Sequence, residues 1–267
     1  MKHLVKFREN ERKWFDIGRP TRFTASIISD FVSNFRFLLL CSTWPASYCD
    51  TKRGCCYPTT GKPDEDFSIH GLWPNYNNGK WPQNCDLSSS LDESEISDLL
   101  SRMHKDWPTL TCPSGDGMKF WGHEWKKHGT CTSLKEHAYF LAALDLKKKA
   151  NLLQILKDKG FHPGKFYNKK SIKNAIEEGI GHEAYIECNV DTEGNNQIYQ
   201  VYLCVDKSAS NFIECPIFPS GRACAATVEF PSFSDDSYSS NYVELSPQFI
   251  TEKSNRINKL LNKNCEY

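Results

Sequence analysis

Twelve cysteines in a chain of 267 residues constrain this protein more than any other feature of its sequence. No two of them are spaced Cys-x-x-Cys, which removes the usual signature of zinc ribbons and of thioredoxin-like redox pairs. Structural disulfides are the better account of so many, and such bridges persist in oxidising surroundings. The expected location is therefore extracellular or vacuolar, by the secretory route. Spacing alone leaves open which cysteine meets which.

The N-terminus does not match that expectation. A secretory signal needs a continuous apolar run, whereas residues 1–34 are broken by Arg8, Glu9, Glu11, Arg12, Lys13 and Asp16. The nearest apolar run, Phe37 to Cys41, is too short for a signal core or a membrane span, so no membrane partner is expected. Residues 1–34 read as an atypical N-terminal extension, 35–233 as one folded domain and 234–267 as a C-terminal extension. No Asn-x-Ser/Thr sequon occurs to give an independent sign of secretion. Lys plus Arg total 33 and Asp plus Glu total 33, so no net positive charge provides avid, sequence-independent attachment to nucleic acid. Any such contact has to be local. A chain of this length buries a substantial core by itself, and a monomer is expected.

Within the folded part, Phe35 to Leu40 and Phe67 to His70 read as strands around a cysteine-bearing loop with turn signals at Pro58, Gly61 and Pro63. Ser90-Leu91-Asp92-Glu93 has the form of a capping box, and Ile96, Leu99, Leu100, Met103 and Trp107 follow at helical spacing until Pro108. A second helix is predicted from about Phe120 to near Gly129. One or two more lie between His137 and Lys159, and a short one begins at Ser171. Tyr185 to Val190 and Gln197 to Val205, separated by Glu193-Gly194-Asn195-Asn196, read as a hairpin. Helices in the middle and paired strands towards the end predict an α+β fold, a central antiparallel sheet with helices packed around it, stabilised by disulfides.

Chemistry concentrates in two segments: Phe67-Ser68-Ile69-His70-Gly71-Leu72-Trp73-Pro74, and Phe120-Trp121-Gly122-His123-Glu124-Trp125-Lys126-Lys127-His128-Gly129-Thr130-Cys131. Together they resemble the two active-site segments of the ribonuclease T2 family. Trp44-Pro45-Ala46-Ser47-Tyr48-Cys49 and Cys55-Cys56-Tyr57-Pro58 resemble its plant S-like branch. The resemblance runs from about Phe35 to Phe233. It implies a metal-independent endoribonuclease that cleaves single-stranded RNA by transphosphorylation, giving 2′,3′-cyclic phosphate and then 3′-phosphate ends with low sequence specificity and no cofactor.

The residue types suit that reaction. A base must take the proton of the ribose 2′-hydroxyl and an acid must protonate the departing 5′-oxygen, and a histidine pair does both near neutral pH. Negative charge builds on the phosphoryl oxygens, where a cation and hydrogen-bond donors belong. On a helix, His123 and Lys127 are four apart, as are Glu124 and His128, so two adjacent stripes face one side. The resemblance implies His128 as base, His70 as acid, Glu124 and Lys127 as stabilisers of the pentacoordinate phosphorus, and His123 as a ligand of a phosphate oxygen.

Trp73, Tyr76 and Phe120 are candidates for stacking on bases. The family usually has Gln before the first Trp-Pro, where its amide contacts a base; this chain has Thr43 there, which puts base preference in question. The resemblance also implies the disulfides Cys49–Cys55, Cys56–Cys112, Cys85–Cys131, Cys188–Cys224 and Cys204–Cys215. Cys41 and Cys265 are left over, open to a sixth bridge, to free thiols or to an intermolecular link. A zinc reading fails on spacing: His123 and His128 are five apart, roughly 140° around a helix, whereas His-Glu-x-x-His puts its ligands four apart. Two rival roles remain, a storage or binding protein that kept the scaffold without the activity, and a self-incompatibility or defence toxin using the same chemistry.

Overall fold

A computed structural model describes residues 34–233; the two extensions read from the sequence, Asn34 excepted, lie outside the described residues. Strand β1 (Phe37–Thr43) is followed by the short helix α1 (Pro45–Cys49), started by a proline at its first turn, and by β2 (Ser68–Asn75). Four helices come next: α2 (Leu100–Asp106), α3 (Met118–Lys127), α4 (Glu136–Ala150) and α5 (Leu152–Asp158). Strand β3 (Lys165–Asn168) leads into α6 (Lys169–Ile180), whose N-cap Asn168 accepts from the amides of Lys170 and Ser171. The described part ends with β4 (Tyr185–Val190), β5 (Asn196–Val205) and β6 (Thr227–Phe230).

The sheet runs β2-β1-β5-β6-β3, with β4 also paired to β5. It is antiparallel throughout except where β6 joins β5 in parallel through Gln197 and Glu229. One face carries Leu38, Leu40, Ile69, Leu72 and Leu203 into a core shared with Trp107, Trp121, Tyr139 and Phe140. The other carries Phe37, Leu39, Cys41, Tyr202 and Cys204, against which Trp73 packs.

The expected capping box differs in detail. Asp92, not Ser90, is the cap: it accepts from Ser94 N–H and opens a single 3-10 turn, Glu93–Ile96, before α2 begins at Leu100. The return bond from the cap's own N–H, expected at Glu93, goes instead to Glu136 Oε1 on α4 at 2.9 Å. The predicted continuous helix is thus a 3-10 turn and a short α-helix, pinned from another element.

Among the described residues five disulfides join Cys49 to Cys55, Cys56 to Cys112, Cys85 to Cys131, Cys188 to Cys224 and Cys204 to Cys215. Cys41 is a buried free thiol, and Cys265 lies outside the described residues. No helix among the described residues is long and apolar enough to cross a membrane.

Candidate active site

His70 owes its position to an irregularity in the sheet. Along β1 and β2, Cys41 faces Gly71 but Ser42 faces Ile69, which leaves His70 as the unpaired residue of a β-bulge. In an unbroken strand Ile69 and Leu72, three apart, would point to opposite faces, yet both enter the helix-side core. The extra residue absorbs that difference and turns the imidazole to the face where Trp73 lies, ring centroids 5.0 Å apart and edge to face. Trp107 Nε1 donates to the His70 carbonyl at 2.9 Å and holds the bulge from the helix side.

The second histidine sits at the end of α3. Gly117 opens the helix with φ of 104°, and Asp116 accepts from Met118 N–H, so it starts two residues before the predicted Phe120. His128 closes it, its N–H bonded to Glu124 O at 2.9 Å. The end is tethered twice more, by Asn84 N–H on Lys127 O at 2.9 Å and by the Cys85–Cys131 disulfide.

Between the two imidazoles stands Trp73. It lies 5.3 Å from His128, the planes 34° apart, and its Nε1 donates to Glu124 Oε2 at 2.8 Å. Gly71 makes this possible, since a Cβ there would overlap Trp73 Nε1 and Glu124 Oε2. Its ring contacts make Trp73 a spacer between the imidazoles.

His70, Trp73, Phe120, His123, Glu124, Lys127 and His128 line one cleft of about 670 Å³, together with Trp81 and Tyr202. His70 and Phe120 also border a second hollow of about 760 Å³ containing Thr43, Tyr48, Lys52, Arg53, Glu187, Tyr199 and Arg222. Phe120 lies 6.1 Å from His70 at the junction of the two. Tyr76 is half-buried against the core and borders neither hollow. Thr43 is buried at the floor of the second.

Burial dominates the protonation of this cleft. It lowers His70 to about 4 and His128 to about 3, with Lys127 and His123 adding repulsion to both imidazolium forms. It raises Glu124 to about 7, against the hydrogen bond from Trp73 and the nearby Lys127. His123, exposed, is lowered by partial burial and by Lys127. His128 Nδ1 is buried with no hydrogen-bond partner. Beside the Lys127 charge the cleft thus holds two uncharged imidazoles and a carboxyl that titrates near physiological pH.

Sequence reasoning missed Gln200 and Tyr202. Gln200 faces Thr43 across β1 and β5, with its amide 2.6 Å from His70 Nδ1. Only the non-local pairing brings them together, and nothing in the local sequence signals it.

The sequence model of the ribonuclease T2 family matches residues 35–215. The chain is 67% identical over 203 residues to the intracellular ribonuclease LX of Solanum lycopersicum, covering 75% of this chain and 86% of that protein. It is 56% identical over 204 residues to the extracellular ribonuclease LE of the same plant, covering 75% and 88%. Among solved structures, RNase NT in complex with 5′-AMP matches with a TM-score of 0.74 at 68% identity, over 75% of this chain and 100% of that one.

Proposed function

Because the chain belongs to the ribonuclease T2 family and is a ribonuclease by that membership, we propose that it cleaves single-stranded RNA through His128 and His70 without a metal ion. The observation that supports this best is the convergence of a strand histidine and a helix-end histidine on one cleft, with Trp73 between them and Glu124, Lys127 and His123 alongside.

His128 takes the proton of the 2′-hydroxyl as its oxygen attacks phosphorus. His70 delivers a proton to the 5′-oxygen as the P–O bond breaks, leaving a 2′,3′-cyclic phosphate. Water then reverses the roles and opens the ring to a 3′-phosphate. Lys127 supplies the positive charge that the phosphoryl oxygens develop a need for, and Glu124, neutral below about pH 7, donates a hydrogen bond to one of them. His123 holds another. A phosphodiester anion between the imidazoles favours their charged forms and offsets the burial that lowers them.

Phe120, at the junction of the two hollows, is the aromatic surface best placed to stack on a base; Trp73 is already engaged with both histidines and Glu124. The nucleotide in RNase NT fits a cleft that accepts an adenine nucleotide. Among the described residues no three His, Cys, Asp or Glu side chains are grouped to hold a metal. The five disulfides favour an oxidising compartment, and the working unit is a monomer.

The test is to incubate the disulfide-bonded protein with a short RNA and its 2′-deoxy counterpart in EDTA and to identify the ends by mass. Cyclic phosphate from RNA alone is expected, with His70→Ala and His128→Ala each reducing the rate by at least about 1,000-fold while retaining the fold. Loss of wild-type activity in EDTA would restore a metal mechanism. A correctly folded wild type that leaves RNA intact would favour the inactive scaffold.

A further inference from the structure

Four polar side chains form a hydrogen-bonded chain beside His70, three of them buried and the fourth, Glu187, half-buried at the second hollow. Gln200 Nε2 lies 2.9 Å from Thr43 Oγ1 and 2.6 Å from His70 Nδ1. Its Oε1 lies 2.7 Å from Tyr202 Oη, which is also 2.7 Å from Glu187 Oε2. Thr43, Gln200 and Tyr202 are all buried, so each unmatched contact costs free energy. Tyr202 has one proton and meets two acceptors, the Glu187 carboxylate and Gln200 Oε1. One of those two short contacts is then oxygen against oxygen with no proton between them.

A half-turn of the Gln200 amide exchanges its oxygen and nitrogen at nearly the same positions. Its Nε2 then donates to Tyr202 Oη, Tyr202 donates to Glu187, and its Oε1 accepts from the Thr43 hydroxyl and from a proton on His70 Nδ1. Each of the four contacts then has a proton between its two atoms. We propose that Gln200, oriented in this way by Tyr202 and Glu187, is a positioning residue that holds His70 as the Nδ1–H tautomer and leaves Nε2 as the atom that carries the catalytic proton.

The orientation matters because the two tautomers differ in what they can do. With a Gln200 N–H aimed at Nδ1, the ring proton sits on Nε2 and a second proton at Nδ1 is opposed, so His70 cannot become the imidazolium an acid requires. With Oε1 aimed at Nδ1, protonation of Nε2 strengthens the bond behind it. Cys41 Sγ, 3.8 Å from Nδ1, is too weak an acceptor to substitute. The other titratable groups around the ring are Lys127, His123, Glu124 and His128 on and beside α3, and Tyr202 and Glu187 on the hairpin. This role rests on the ribonuclease reading above, whereas the tautomer itself is a property of the free protein.

The experiment is nitrogen NMR of the disulfide-bonded protein with 15N-labelled histidine, His70 being assigned by the signal missing in His70→Gln. In the wild type without RNA, neutral His70 is expected to carry its proton on Nδ1. Gln200→Leu should give a mixture of tautomers, move the alkaline limb of kcat/KM to lower pH, and reduce kcat about 10- to 100-fold with KM within threefold. Glu187→Leu frees the Tyr202 proton to return to Gln200 and should move His70 towards Nε2–H. Glu187→Gln keeps a carbonyl for Tyr202 and should preserve the wild-type spectrum.

A neutral wild-type His70 protonated on Nε2 would overturn the proposal, as would Gln200→Leu keeping both the Nδ1–H tautomer and the kcat. If Gln200→Leu fails to fold, the wild-type spectrum and the Glu187 pair still decide. Failure of the wild type to cleave RNA while His70 shows Nδ1–H would sink the ribonuclease reading and leave the tautomer assignment standing.

Discussion

Glu124 shows how much one residue's surroundings shape this site. Its side chain is buried beneath Trp73, and burial raises its pKa to about 7 from an ordinary 4.5. A carboxyl whose folded value lies above its unfolded one contributes stability that is complete below about pH 4.5 and lost as pH rises through about 7. Glu124→Gln keeps an acceptor for Trp73 and removes the buried charge. Thermal unfolding should therefore find the variant about as stable as the wild type at pH 4 and on the order of 3 kcal/mol more stable at pH 8. Equal melting temperatures at both pH values would mean that the carboxyl ionises without penalty. Glu124 was legible in the sequence as a candidate because it lies four residues from His128 on one helix. Its state was not, because the indole that covers it comes from another element.

At the level of elements, the last turn of α3 depends on attachments that lie outside the helix. Cys131 ties the turn beyond it to Cys85, closing a separation of 46 residues, and Asn84 donates to the Lys127 carbonyl. Loop-closure entropy puts such a bridge at about 4 kcal/mol. Replacing both cysteines by serine should lower the urea midpoint by the equivalent of 2–4 kcal/mol and reduce kcat more than it raises KM, because His128 loses its anchor. A midpoint shift with kcat intact would show that the helix end holds itself. The longer helices and the hairpin could be read locally, because apolar spacing and turn residues announce them, whereas the five-residue α1 could not. The four-residue strands β3 and β6 could not: they are too short to show a period, and each is a strand only because its neighbour pairs with it. The bulge at His70 was hidden for the same reason, since it exists only in the register of β2 against β1.

Over the whole molecule, charge balance and a cleft whose two buried histidines are held neutral make binding and stability pull in opposite directions. His70 and His128 are lowered to about 4 and about 3, so their contribution to stability is complete above pH 6.5 and lost as pH falls through those values. Glu124 works the other way between about 4.5 and 7, one group against two, so the empty protein should lose stability from pH 6.5 to 4.5. A phosphodiester changes the balance, because its negative charge favours the imidazolium forms that the empty cleft disfavours. Binding must then draw protons from solution. A 2′-deoxy dinucleotide, which cannot be cleaved and whose phosphodiester does not titrate in this range, isolates the effect. Calorimetry in buffers of different ionisation enthalpy should show proton uptake near pH 6 and affinity that rises as pH falls from 7 to 5. The ligand should accordingly raise the melting temperature more at pH 5 than at pH 7, although the unliganded protein is weaker there. Binding with no proton uptake would mean that the histidines remain neutral beside the phosphate, and His70 would then have no proton to give to the leaving oxygen.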